Sequence, residues 1–202
     1  MALAAIYNTD AELKAYAQIT DTNADADVKQ TNLGVSRLVE RYCKRQFNTA
    51  ASADARVFYA DTATWVRVPD FQSVTSLKTD TDGDASFSTT ITSANYTLLP
   101  LNGVVDGQEG HPYNEIRLHD GKTFPMTDHR PGIELNALWG WAAVPDDVKS
   151  AHLIQGMRIL RRKYHTPDGV AGFGDFVIRI PSKLDDDVIL MLDPYRNLAL
   201  VG

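Results

Sequence analysis

Three aspartates alternate through Thr79-Asp80-Thr81-Asp82-Gly83-Asp84-Ala85-Ser86, a spacing that could present several carboxylates to one cation. A calcium loop of that kind needs glycine at its sixth position and glutamate at its twelfth. Counted from Asp80, Gly83 stands fourth and Ile91 twelfth, so the stretch reads as an exposed turn. Gly169, Gly172 and Gly174 lie in GVAGFGD. A phosphate-binding loop would continue into Gly-Lys-Ser/Thr and a helix, whereas this run meets Asp175 and a strand, and reads as a flexible connector. His111, His119, His129, His152 and His165 form no HExxH motif and no close metal-ligand pair. No Gly-x-Ser-x-Gly elbow is present. Cys43, the only cysteine, falls on the buried side of a helix and reads as a structural thiol. These residues assign no catalytic, cofactor-binding or metal site, and the chain reads as a non-enzyme.

Charge offers the remaining chemistry. Arg158, Arg161, Arg162 and Lys163 end one predicted helix, and Arg37, Arg41, Lys44 and Arg45 end another. Both helices start acidic, with Asp146 and Asp147 in the first case and Asp25 and Asp27 in the second. Each charge so placed complements the helix dipole by ~0.3–1 kcal/mol. Four basic residues per helix end exceed what the dipole needs, which leaves an acidic partner surface open.

The elements that carry these charges follow from pattern. Thr9 with Glu12 has the form of a capping box, and Leu13, Tyr16 and Ala17 continue as one apolar stripe. A longer helix runs through DVKQTNLGVSRLVERYCKRQF, with Val35, Leu38, Val39 and Tyr42 on one face. Gly34 weakens it by ~1 kcal/mol relative to alanine, which suggests close packing there. Between residues 54 and 141 the pattern changes to short β-branched and aromatic runs: RVFYA, TWVRV, NYTLL, NEIRLHD and GIELNALW. The clearest alternation is Glu115-Ile116-Arg117-Leu118-His119. Gly140 lets the chain turn between Trp139 and Trp141, and Pro145 suits the first position of the next helix.

That helix, within residues 142–165, is apolar on two sides. Leu153, Met157, Leu160 and Tyr164 make one stripe, and Val148, Ala151 and Ile159 face the other way, so it is sandwiched in a core or against a neighbouring subunit. Residues 166–202 are predicted to form a docking arm: a glycine-rich loop, the strand FVIRI with no evident hairpin partner, and a short helix capped by Ser182 and stopped by Pro194. The fold class is α+β, a bundle of about four helices (residues 1–53 and 142–165) with an inserted antiparallel β domain (54–141) and this arm.

At 202 residues, 44% apolar and 23% charged, the composition is that of a globular chain. A net charge of −6 argues against a protein that coats nucleic acid. No run approaches the ~20 apolar residues of a membrane span. The opening MALAAIYNTDAELK has no basic segment before an apolar run, so no signal peptide is expected, and the lone cysteine fits a cytosolic origin.

Taken in order, ERYCKRQF, a β-rich middle, LWGWAAVPDDVKSAHLIQGMRILRRK, TPDGVAGFGDFVIRI and LDPYR resemble the head–tail connector (adaptor) proteins of long-tailed bacteriophages over residues 8–196. The most specific part is the aromatic-Gly-aromatic turn, Val-Pro-x-Asp-Val-Lys and the basic helix, followed by the Gly-rich loop. Asn32-Leu33-Gly34 departs from a more helix-friendly run, and the insertion is long near 103–112 and 120–132. The resemblance implies a virion protein of the neck, assembled in the host cytoplasm. About a dozen identical subunits would form a ring under the portal protein and extend the DNA channel. The next neck protein, a stopper or tail terminator, would dock below, and genomic DNA would pass through without specific binding.

On that resemblance, Phe173, Phe176, Ile178, Ile180, Leu192, Tyr195, Arg196 and Leu198 dock on the portal or a neighbour, and Arg158, Arg161 and Arg162 meet acidic groups across the subunit interface. Two other readings remain open: a DNA-binding or packaging accessory protein that uses the basic helix ends, and a small hydrolase or ligand-binding domain with its site in the β insertion.

Overall fold

The computed structural model describes residues 6–126, 130–165, 170–173, 176–179 and 184–197. The chain divides into two compact units, one running from Asn48 to Ala143 and the other built from the segments before and after it.

The first unit is an antiparallel sheet. Its strands are β1 (Asp54–Phe58), β2 (Trp65–Thr79), β3 (Thr89–Ile91), β4 (Tyr96–Leu99), β5 (Tyr113–Leu118) and β6 (Ile133–Trp139). They lie in the order β1-β6-β2-β5-β4, with β3 also on β2. Strict alternation along β6 turns Ile133, Leu135, Ala137 and Trp139 inward, where all four are fully buried. Ile116 and Leu118 of β5 and Val66, Phe71 and Leu77 of β2 complete that core. β2 continues well past the expected TWVRV. Its register shifts between Arg67 and Phe71, and again near Ser73 and Ser76, so bulges break the period of two by which the strand would have been read.

The Trp139-Gly140-Trp141 turn has the expected role for a specific reason. Gly140 sits at φ +91°, and a Cβ there would lie 1.9 Å from the Asn48 carbonyl oxygen. Its N–H donates to the Asp70 carbonyl at 2.7 Å. The Trp141 indole N–H donates to the Asp70 carboxylate at 2.9 Å, and the Trp139 indole N–H donates to the Asp54 carbonyl at 2.8 Å. Only glycine allows the strands to close this tightly.

The second unit contains four helices among the described residues: α1 (Asp10–Ala17), α2 (Asp25–Cys43), α3 (Asp146–His165) and α4 (Asp186–Leu192). The Thr9–Glu12 capping box forms in both directions, and the hydrogen bonds from Thr9 hold the Glu12 carboxyl below the usual carboxylate range. Leu13 enters a pocket with Ala24, Val28 and Leu160. The close-packed helix glycine is Gly156 on α3, where a Cβ would lie 2.8 Å from Leu13 Cδ1. Gly34 differs from expectation: a Cβ there would meet nothing within 4 Å. α3 is held in this unit's own core, with Val148, Ala151, His152, Gln155, Gly156 and Leu160 buried. No helix of the described residues is long and apolar enough to cross a membrane.

The tail differs from the expected arm in three ways. The strand Phe176–Arg179 (β8) does have a hairpin partner, β7 (Val170–Phe173), formed from part of the Gly-rich run. α4 begins after Asp185 instead of Ser182, which lies outside the described residues. Val188, Leu192 and Tyr195 are buried in the helical unit, so one side of residues 184–197 packs into its core. A seven-residue helix cannot hold itself in water and gains its stability by burying that stripe.

Candidate functional site

α3 carries the basic end on which the assembly expectations centre, and buried polar contacts fix its position. His152 is fully buried. The Asn8 side-chain amide lies 3.1 Å from its Nδ1, while the Asn32 carbonyl and the Ser36 hydroxyl each lie 3.1 Å from its Nε2. An amide N–H can only donate and a carbonyl only accept, so these partners select the neutral ring with its proton on Nε2. Burial pushes its pKa below the ordinary value, against the opposing effect of the Asn32 carbonyl. Asn8 also donates to the Lys149 carbonyl at 3.0 Å, and Asn32 donates to the Asn8 carbonyl at 2.9 Å. α2, α3 and the segment before α1 are thereby tied at one point. The sequence contains all four residues, but no local signal joins them.

Much of the basic end is occupied within the chain. Arg158 forms an ion pair with Asp185 at the start of α4. Lys163 pairs with Asp27 at 2.5 Å and Lys14 with Asp25, so the acidic start of α2 is neutralised by other helices. Arg162 is half-buried, whereas Arg161 is exposed. Of the three arginines expected at a subunit interface, Arg161 is therefore the one presented outward, and Arg158 serves the chain's own fold.

The docking residues separate in the same way. Leu192 and Tyr195 are core side chains, and the Tyr195 ring meets Phe47 edge-on at a centroid distance of 5.8 Å. They leave no apolar surface for a partner, contrary to expectation. Arg196 is exposed, lies 5.1 Å above the Tyr42 ring and pairs with Asp193 at 3.6 Å. Phe173, Phe176 and Ile178 lie in the β7–β8 hairpin, while Ile180 and Leu198 fall outside the described residues.

Other chemistry-bearing groups are engaged structurally. Cys43 is fully buried, 3.8 Å from the Leu192 carbonyl, and burial pushes its thiol up to about 12. This is the inert thiol expected. Asp80, Asp82 and Asp84 do bring carboxylate oxygens within 4.8 Å of one another. Asp80, however, uses both oxygens to accept from the Gly83 and Ala85 N–H groups, at 2.7 and 2.9 Å. Burial opposes its ionisation, but those backbone bonds prevail and hold its carboxyl below the usual range. The geometry closes a turn. A shallow depression of about 310 Å³ lies over Ile6, Tyr7, Asn8, Thr9, Asp10 and Glu12. Its Asn8, Thr9 and Glu12 side chains are committed to the His152 contact and the capping box.

Neither a protein-family model nor a curated protein matches the sequence. Solved structures do match. A chain from the neck of an empty gene transfer agent (GTA) particle, computed with C6 symmetry, aligns with a TM-score of 0.59 at 16% identity, covering 100% of this chain and 95% of that one. A chain from the virion of a native GTA particle aligns with a TM-score of 0.56 at 15% identity, with the same coverage. The fold is shared with virion proteins. Both alignments run the full length of this chain, so the likeness takes in the helical unit and the sheet unit together.

Proposed function

We propose that this chain is a structural neck protein of a tailed virion: a head–tail connector (adaptor) whose identical copies form a ring under the portal. The observation that carries this reading is the full-length likeness of fold to a chain from a GTA particle neck. The order of sequence segments that resembles the adaptor proteins supports it. The ring extends the DNA channel and joins the capsid to the next neck protein, a stopper or tail terminator. A chain of net charge −6 suits a channel wall, because neutralising many phosphates would release counterions and hold the DNA in place. Exposed Arg161 and Arg196 and the β7–β8 hairpin are the features offered to the portal and to neighbouring copies.

The test is reconstitution with the portal of the same particle, imaged for ring-on-ring complexes. Stacked rings are expected. A chain that stays apart from the portal at micromolar concentration would remove the adaptor assignment.

A further inference from the structure

We infer that an outer face of α2 and the outer face of α4 bind each other between neighbouring copies of this chain. This rests on the ring reading above and names the surfaces that would close the ring.

The α2 face consists of Leu33, Arg37 and Arg41, four residues apart, with Gly34 next to Leu33, and all are exposed. Leu33 keeps 44% of its surface. Gly34 lies inside a 19-residue helix, yet no atom would approach a Cβ there within 4 Å, and its φ is not in the left-handed region. Neither packing nor backbone conformation within the chain calls for a glycine. It leaves a notch beside Leu33, open to another chain, with two guanidinium groups along its edge.

The α4 face has the opposite form. Leu190 is 75% exposed, the most exposed large apolar side chain among the described residues, on a helix whose other face buries Val188 and Leu192. Asp186 and Asp187 precede Leu190 by four and three residues and are both exposed. An apolar knob thus stands one turn along from two carboxylates. Among the described residues, Asp186, Asp187 and Arg41 make no ion pair, and Arg37 pairs only with Glu40 of its own helix.

A knob with carboxylates to one side complements a notch with guanidinium groups to one side. Each face would repel a second copy of itself, because like charges would meet around the same apolar centre. The contact is therefore head-to-tail, the type that generates a ring when the rotation closes. An apolar centre with charge at the rim is also the usual anatomy of a protein interface.

The experiment uses two full-length variants, Leu33→Cys and Leu190→Cys, one with a size tag, mixed under mild oxidation while wild-type assembly is imaged in parallel. Cys43 is fully buried and stays in place. Cross-links between the two variants are expected to exceed self-links of either one by roughly tenfold. Arg37→Asp with Arg41→Asp in the Leu33→Cys chain should cut the yield about tenfold, and Asp186→Arg with Asp187→Arg in the other chain should restore it. Rings in the images with no preferred Leu33–Leu190 link would overturn this interface and leave the ring reading standing, as would Leu190→Cys links to a different protein. A chain that does not self-associate even beside its portal overturns both.

Discussion

Replacing Gly156 with alanine should have opposite effects depending on what stands at position 13. In the native chain the new methyl would lie 2.8 Å from Leu13 Cδ1 and 3.3 Å from Cδ2. Leu13 is fully buried against Ala24, Val28 and Leu160, so it has little room to move away. Alanine gains ~1 kcal/mol over glycine in a helix interior. Overpacking of a filled core costs ~1–3 kcal/mol. The net effect of Gly156→Ala is a loss of about 0–2 kcal/mol in the helical unit. Leu13→Ala alone should cost ~2–5 kcal/mol through lost burial and the cavity left behind. With that cavity present the methyl at 156 meets no obstruction, so Gly156→Ala should then stabilise by about 1 kcal/mol. The coupling of ~1–3 kcal/mol is measurable by urea unfolding of the four proteins, followed by far-ultraviolet circular dichroism. If Gly156→Ala changes stability equally in both backgrounds, the α1–α3 contact is not as described.

Two further outcomes follow from the local geometry. Gly140→Ala combines a left-handed φ with a clash at the Asn48 carbonyl and should cost about 3 kcal/mol or more, read as a lowered melting temperature and altered emission from Trp139 and Trp141. His152 is held neutral, with its pKa below the ordinary 6.5. The unfolded chain therefore binds a proton that the folded chain refuses, and stability should fall as pH drops through about 6.5. Melting between pH 7.5 and 5.5 should show this loss, and His152→Gln should flatten it; an unchanged slope in the variant would assign the pH dependence to other groups.

Local patterns were legible in the sequence, and distant pairings were not. The Thr9–Glu12 cap and the inward Ile116 and Leu118 about an exposed Arg117 in β5 are short-range rules of hydrogen bonding and pleat, and the structure contains both, although Glu115 is buried as well. β2 is legible only to Val68, because its bulges remove the period and Pro69 and Asp70 resemble loop residues. Gly34, expected in a closely packed place, is open, and only the three-dimensional position of Leu13 reveals that Gly156 is the crowded helix glycine. In α4, Leu190 and Leu192 are equally apolar in composition, and docking of the helix decides that one is core and the other exposed. The same applies to Arg158, whose partner Asp185 belongs to another element. Side chains that face outward, such as Arg161, and those that hold the fold together, such as Arg158, are of the same amino-acid type, so type alone could not separate them.

The most direct measurement of the neck assignment is particle assembly in cells from which this chain has been removed, with the products imaged by electron microscopy. A head–tail connector is required at the junction alone, so DNA-containing heads and free tails should accumulate side by side without joining, and supplying the chain in trans should restore tailed particles. Normal tailed particles in its absence, or heads and tails that fail to form at all, would contradict a role at that junction.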